Sequence, residues 1–159
     1  MNLETIKKRL QSKNIFFATD TLFDTPAIIG YDKQFRWSWM ATQLNTFYIA
    51  YDFKDASITE KTIASVMKQA FDYSSKNYKG WPRGFQSAVG VVSILLSENV
   101  TEEAKLYCKK LKSGKKWAGF AIPVVIDTTT KEVYFFDKKP MWGRIYFPYF
   151  QRMIQELTI

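Results

Sequence analysis

The feature that most constrains this chain is a pair of apolar runs. The first is Ala88-Val89-Gly90-Val91-Val92-Ser93-Ile94-Leu95-Leu96 and the second is 118–126. Neither alternates between polar and apolar positions. A strand that faces water on one side alternates, whereas a strand covered on both faces does not. The segment between the runs predicts a helix: Thr101 stands as cap, Glu102 and Glu103 fall in the first turn, and Lys109, Lys110 and Lys112 fall near the last. Those charges suit both ends of the helix macrodipole. Strand, helix, strand with both strands buried implies a parallel crossover, so further helices must cover each face of the sheet.

The rest of the chain supplies that cover. Leu3, Ile6 and Leu10 share one face of a helix over 3–12, with Asn2 available as cap. Residues 15–18 read as a short strand, 20–26 as a loop of turn residues and 27–31 as extended chain. In 32–39, Phe35, Trp37 and Trp39 alternate with Gln34, Arg36 and Ser38, the period of a half-buried strand. Residues 45–51 are rich in strand formers, and the short gap before them predicts an antiparallel hairpin. Ser57 and Glu60 have the spacing of a capping box. They open a helix whose stripe is Ile63, Val66, Met67, Ala70 and Phe71 and which ends near Gly80 and Pro82. Residues 127–131 turn the chain into a strand over 132–136, and 147–157 predict a closing helix. No repeat or linker divides the chain. The expectation is one α/β domain over 1–159, with a mixed central sheet, an antiparallel hairpin flank and helices covering it.

Composition excludes several chemistries. Histidine is absent, which removes Ser-His-Asp and Cys-His catalysis and histidine metal sites. Cys108 is the one cysteine, so the chain has no intramolecular disulfide and no cysteine zinc cage, and its place beside Tyr107 and Leu111 reads as core. No run approaches the ~18–20 apolar residues of a membrane span, and the first ten residues lack the apolar stretch of a signal peptide. A cytoplasmic location is therefore expected. The formal charge of +8 favours anionic partners, nucleic acid among them.

With histidine gone, chemistry must rest on carboxylates, lysines, arginines or tyrosines. Asp52-Phe53-Lys54 ends the second hairpin strand. Residues two apart on a strand project to one face, ~6.6 Å apart, so a carboxylate and an ammonium would point together. A hairpin centred on Thr42 sets Asp32 opposite Asp52 and Arg36 opposite Tyr48. Two facing carboxylates suit one Mg²⁺, with Lys54 beside a phosphate. A register slip by one residue would destroy the pair. Acid-x-Lys recurs at Glu103 and Asp137, but Glu103 lies in a helix. Asp137 stands at the open end of its hairpin, far from Asp127 at the turn.

This succession resembles the PD-(D/E)XK nuclease superfamily over residues 1–126. It consists of a helix, a hairpin carrying Asp32 and Asp52-x-Lys54, a helix, a buried strand, and then Ser97 to Ala104 opening another helix. The resemblance implies a restriction-endonuclease-like fold. It also implies a metal site at Asp32 and Asp52 and a catalytic role for Asp52 and Lys54 in Mg²⁺-dependent phosphodiester cleavage. The chain departs from the pattern in having Tyr31 before Asp32 and Asp as the second acid. The superfamily also holds members without catalysis, so a non-catalytic nuclease-fold or protein-interaction module stands as the alternative.

Three further segments bear on partners. Lys105, Lys109, Lys110, Lys112, Lys115 and Lys116 precede Trp117, a mixture able to meet phosphates and stack on a base. Arg36 is a phosphate contact if it shares the face of the two acids. Gly80-Trp81-Pro82-Arg83-Gly84 presents an aromatic and an arginine on a loop. The aromatic stretch from Lys138 to Phe150 either closes the core or forms a homodimer face.

Overall fold

The computed structural model describes residues 1–84, 86–110, 119–140 and 143–159. Their order is α1 (Leu3–Ser12), β1 (Phe16–Leu22), β2 (Thr25–Arg36), β3 (Thr42–Asp52), α2 (Glu60–Asn77), β4 (Ser87–Ser97), α3 (Glu102–Lys110), β5 (Gly119–Asp127), β6 (Glu132–Tyr134) and α4 (Phe147–Thr158). The strands form one six-stranded sheet in sequence order. β1, β2 and β3 make an antiparallel meander. β3, β4 and β5 are parallel, and β6 returns antiparallel. The expected α/β domain with a mixed sheet and a hairpin flank is what the chain forms.

Every residue of β4 and β5 is buried, as the unbroken apolar runs require. The sheet separates two apolar clusters. One joins Ile28, Leu44, Tyr48, Val92 and Ile122 to Ile6 and Leu10 of α1 and Phe150 and Leu157 of α4. The other joins Ala27, Ile29, Phe47, Ile49 and Val91 to Ile63, Val66 and Ala70 of α2 and Ala104 and Cys108 of α3. Even-numbered positions of β2 and β3 thus face α1 and α4, and odd-numbered positions face α2 and α3. Cys108 is core as expected, and burial pushes its thiol up to about 12. Among the described residues no helix is long and apolar enough to cross a membrane.

Three boundaries differ from the sequence expectation. The expected loop over 20–26 is mostly strand. β1 runs to Leu22, and the chain reverses in two residues, Phe23 and Asp24, both at positive φ. That is the backbone hand a tight hairpin needs. The predicted Ser57–Glu60 box is replaced by Thr59 and Thr62, whose side chains each meet the other's backbone N–H. The cause lies just before it: Ile58 is held extended by Val100, donating to Asn99 O and accepting from Thr101 N. The helix therefore cannot start until Thr59.

The third difference matters most. β2 stops at Arg36, and Trp37–Trp39 form a single 3₁₀ turn instead of continuing the alternation. Met40 and Ala41 follow in the left-handed region and reverse the chain. Trp39 is buried against Tyr146 and Tyr149, while Trp37 stays 81% exposed. Apolar burial of one indole by the C-terminal helix outweighs strand periodicity, and the hairpin is centred on Trp39 rather than Thr42.

Candidate functional site

The shifted hairpin decides the fate of the nominated acids. β2 pairs with β3 from Ala27↔Tyr51 to Arg36↔Thr42, so Asp32 lies opposite Thr46. Continuing the count by one pair brings Pro26 beside Asp52. Asp32 and Asp52 share a face of the sheet, yet Thr46 and Asp52 are six positions apart on β3, ~20 Å of strand. The pair read from the sequence as one Mg²⁺ site cannot grip one ion. Arg36 faces Thr42 rather than Tyr48 for the same reason.

Asp52 and Lys54 do lie together, at a turn. The Lys54 N–H donates to Asp52 Oδ1 at 3.0 Å, and Lys54 itself has φ 54°. Its carbonyl accepts from Glu98 N at 2.7 Å and from Ser97 Oγ at 3.1 Å. This carboxylate stabilises the exit of β3, which is the ordinary work of an Asx turn. Asp24 lies on the neighbouring β1–β2 turn. The neighbouring Phe23 and Phe53 rings are 6.2 Å apart. Among the described residues no three Asp, Glu, Cys or His side chains are grouped so as to hold a metal ion. The donor set for Mg²⁺ does not fit.

Asp32 serves the core. Tyr149 of α4 donates to Asp32 Oδ2 at 2.6 Å, and Tyr48 donates to the Tyr149 hydroxyl at 3.0 Å. The Gln34 amide donates to both carboxylate oxygens, at 3.1 and 3.2 Å. Burial, reinforced by the Asp32 charge, holds the Tyr149 hydroxyl well above its ordinary range. Tyr48 is raised by burial and by Tyr149. Arg36 lies over the Trp39 ring at 4.6 Å and over Tyr149 at 5.6 Å. The nominated metal ligand and phosphate contact are thus neighbours in one network tying β2 to α4. A cavity of about 300 Å³ between Asp32 and Arg152 borders it.

Lys109 is exposed at the end of α3 and sits over the Tyr134 ring at 5.2 Å, beside Lys105 at 5.1 Å. Lys112, Lys115, Lys116 and Trp117 lie outside the described residues.

The topology instead separates charge by sign. One end of the sheet gathers the finish of β3, β4 and β5, the start of α2 and α3, and the β1–β2 turn. Asp24, Asp52, Asp55, Glu60, Glu98, Glu102, Glu103, Asp127 and Glu132 are all there, with Lys54, Lys61, Lys105 and Lys131 among them. Carboxylates already occupy the helix N-termini at this end. The opposite end gathers the finish of β2, the start of β3 and β4, the end of α2 and the approach to α4. The segments that meet there belong to sequence stretches 33–51, 73–97 and 138–155, which contain no Asp or Glu, although 33–51 and 73–97 also run on through β3 and β4 toward the other end. Lys33, Arg36, Lys76, Lys79, Arg83 and Arg144 are drawn from them.

Exposed aromatics mark the same basic end. Phe35 stands edge-on to Trp37 at 5.3 Å and to Trp81 at 5.9 Å. Trp81 is 46% exposed and Phe35 41%, with Met40 and Ile145 also exposed at this end. Several hydrogen bonds fix the 79–83 loop. Lys79 N donates to Tyr31 Oη, Trp81 N to Gln43 Oε1 and Arg83 N to Tyr78 Oη, while Lys33 Nζ reaches Lys79 O. The sequence displays Trp81 and Arg83 on a loop but not the meeting of Trp81 with Phe35, or of Phe35 with Trp37. The three acid-free stretches were the available signal.

No family model matches this chain, and neither a curated protein nor a solved structure does.

Proposed function

We propose that this protein is a non-catalytic nucleic-acid-binding module of restriction-endonuclease-like topology. It engages phosphates through the basic end of its sheet. The observation that carries this reading is the bias of charge: Lys33, Lys79, Arg83 and exposed aromatics gather at one end of the strands, where the nearby Asp32 is engaged by Tyr149 and Gln34, and most carboxylates gather at the other. A polyanion is attracted to the first and repelled by the second, and cleft-scale fields of this kind steer association. The nuclease-like reading is supported by the succession of helix, antiparallel meander, crossover helix and parallel buried strand. Phosphodiester cleavage is left out of it. Asp32 is committed to Tyr149, and Asp52 with Lys54 sits at the acidic end, remote from Lys33 and Lys79.

The test is binding of a labelled oligonucleotide by fluorescence anisotropy across a salt series, without divalent metal. Affinity should fall linearly in log–log form as counterions are released. Lys33→Glu and Lys79→Glu should each weaken binding and flatten the slope, by roughly one unit for each phosphate no longer neutralised. Salt-independent binding, or none, defeats the proposal.

A further inference from the structure

We infer that the ligand is single-stranded nucleic acid, its unpaired bases stacking on a preformed platform made of Phe35, Trp37 and Trp81. This rests on the nucleic-acid reading and narrows it.

Trp37 carries the first part of the argument. It is 81% exposed although its neighbour Trp39 is buried in the core two residues later. The same turn therefore places one indole inside and holds the other out. A hydrogen bond closes that turn: Ala41 N donates to Trp37 O, and Met40 and Ala41 lie in the left-handed region. An indole face is thus presented in water beside the edge-on Phe35 ring, and with Trp81 it makes a cluster of exposed aromatics.

The second part is the anchoring of Trp81. Gly80 is packed so closely on Gln43 and Asn45 that a Cβ would collide with their side-chain amides. The loop is pinned further by the Trp81 N–H to Gln43 Oε1 at 2.9 Å. Both indoles are therefore positioned before a ligand arrives, which reduces the ordering cost of binding.

The third part is the chemistry of the surroundings. Lys33 stands two residues before Phe35 and its ammonium reaches Lys79 O, two residues before Trp81, and the sequence carries no carboxylate from 33 to 51 or from 73 to 97. Aromatic faces beside cations and away from anions suit a partner that is itself both π-faced and polyanionic. Duplex nucleic acid hides its base faces in the stack. A single strand offers every base to an aromatic ring, whatever its sequence.

The experiment titrates the intact chain with a fluorescein-labelled oligo(dT) of ~16 nucleotides, a span typical of small single-strand binders. A duplex of equal length is titrated alongside, and both anisotropy and intrinsic tryptophan emission are read. Expected are tighter binding of the single strand, quenched emission, and a loss of roughly 5- to 100-fold on Trp37→Ala. Trp37→Phe should retain most of the affinity. Because Trp37 makes little contact with the core, an unchanged melting temperature in Trp37→Ala confirms that the fold survives. If the duplex binds as well as the single strand and Trp37→Ala and Trp81→Ala change nothing, the inference fails. Salt-dependent binding in that case leaves the broader proposal standing. If neither oligonucleotide binds and an acidic protein partner is captured on the platform, both fail.

Discussion

Tyr149 donates a hydrogen bond from its hydroxyl to Asp32 Oδ2 at 2.6 Å, joining the closing helix to the second strand. Behind it Tyr48 is wholly buried and donates to Tyr149. The carboxylate is the terminal acceptor of a chain of hydroxyls. Asp32→Ala should therefore leave the buried Tyr149 hydroxyl without its acceptor, while Tyr48 keeps its own, and cost ~1–3 kcal/mol, the penalty for a buried donor left unpaired. Asp32→Asn keeps an acceptor and should fall at the low end. Urea unfolding of the two variants measures the difference. A loss in Asn equal to that in Ala would show that the negative charge itself is needed.

Buried tyrosines on both faces of the sheet set an alkaline limit. Burial raises Tyr48, Tyr51 and Tyr149 above the usual tyrosine range. The folded protein then binds these protons more tightly than the unfolded chain does. Stability from this source is fully present below the unfolded value of about 10 and is lost as pH climbs from there through the folded values. Unfolding at fixed urea should steepen above pH ~10, where unfolded tyrosines ionise. Tyr149→Phe should make that slope shallower while lowering stability at neutral pH. Ultraviolet titration of tyrosinate, run beside circular dichroism, checks both.

Much of the architecture was legible because the apolar pattern dictates it. The unbroken apolar runs over 88–96 and 119–126 read as strands covered on both faces, and Thr101 with its charges reads as a helix start. Thr101 Oγ1 does accept the Ala104 N–H, at 3.2 Å. What local pattern could not supply was register. Phe35, Trp37 and Trp39 alternate as a strand would, but Trp39 is claimed by Tyr146 and Tyr149, more than a hundred residues later. That long-range packing ends β2 early, recentres the hairpin and separates Asp32 from Asp52. Their shared face was legible, since parity survives an even shift. Their separation was not.

Gly80 tests how tightly the aromatic loop is set. A methyl group there meets the amides of Gln43 and Asn45, which themselves bond to Trp81 N, Ser87 and each other. Overpacking of this kind costs ~1–3 kcal/mol. Gly80→Ala should lower the melting temperature and shift Trp81 emission to the red as the loop lifts. The comparison is Gly84→Ala, where φ is positive and the penalty is backbone strain. That variant should destabilise without releasing the Gln43 hydrogen bond.

The two ends of the sheet should respond independently to charge. Lys33 pairs with Asn45, seven positions from Asp52 on β3, ~23 Å of strand at ~3.3 Å per residue. The screening length at physiological salt is ~8 Å. A charge removed at Asp52 is thus nearly invisible at Lys33 and Lys79. Asp52→Ala should leave oligonucleotide affinity at physiological salt within about twofold of the parent, and raise it slightly at low salt where screening relaxes. Lys33→Glu in the same background should weaken binding as much as it does alone, because distant sites add. If Asp52→Ala instead abolished binding, or binding came to require a divalent ion, the ligand would have to sit at the acidic end. Asp24, Asp52 and Lys54 would then return as the residues to explain.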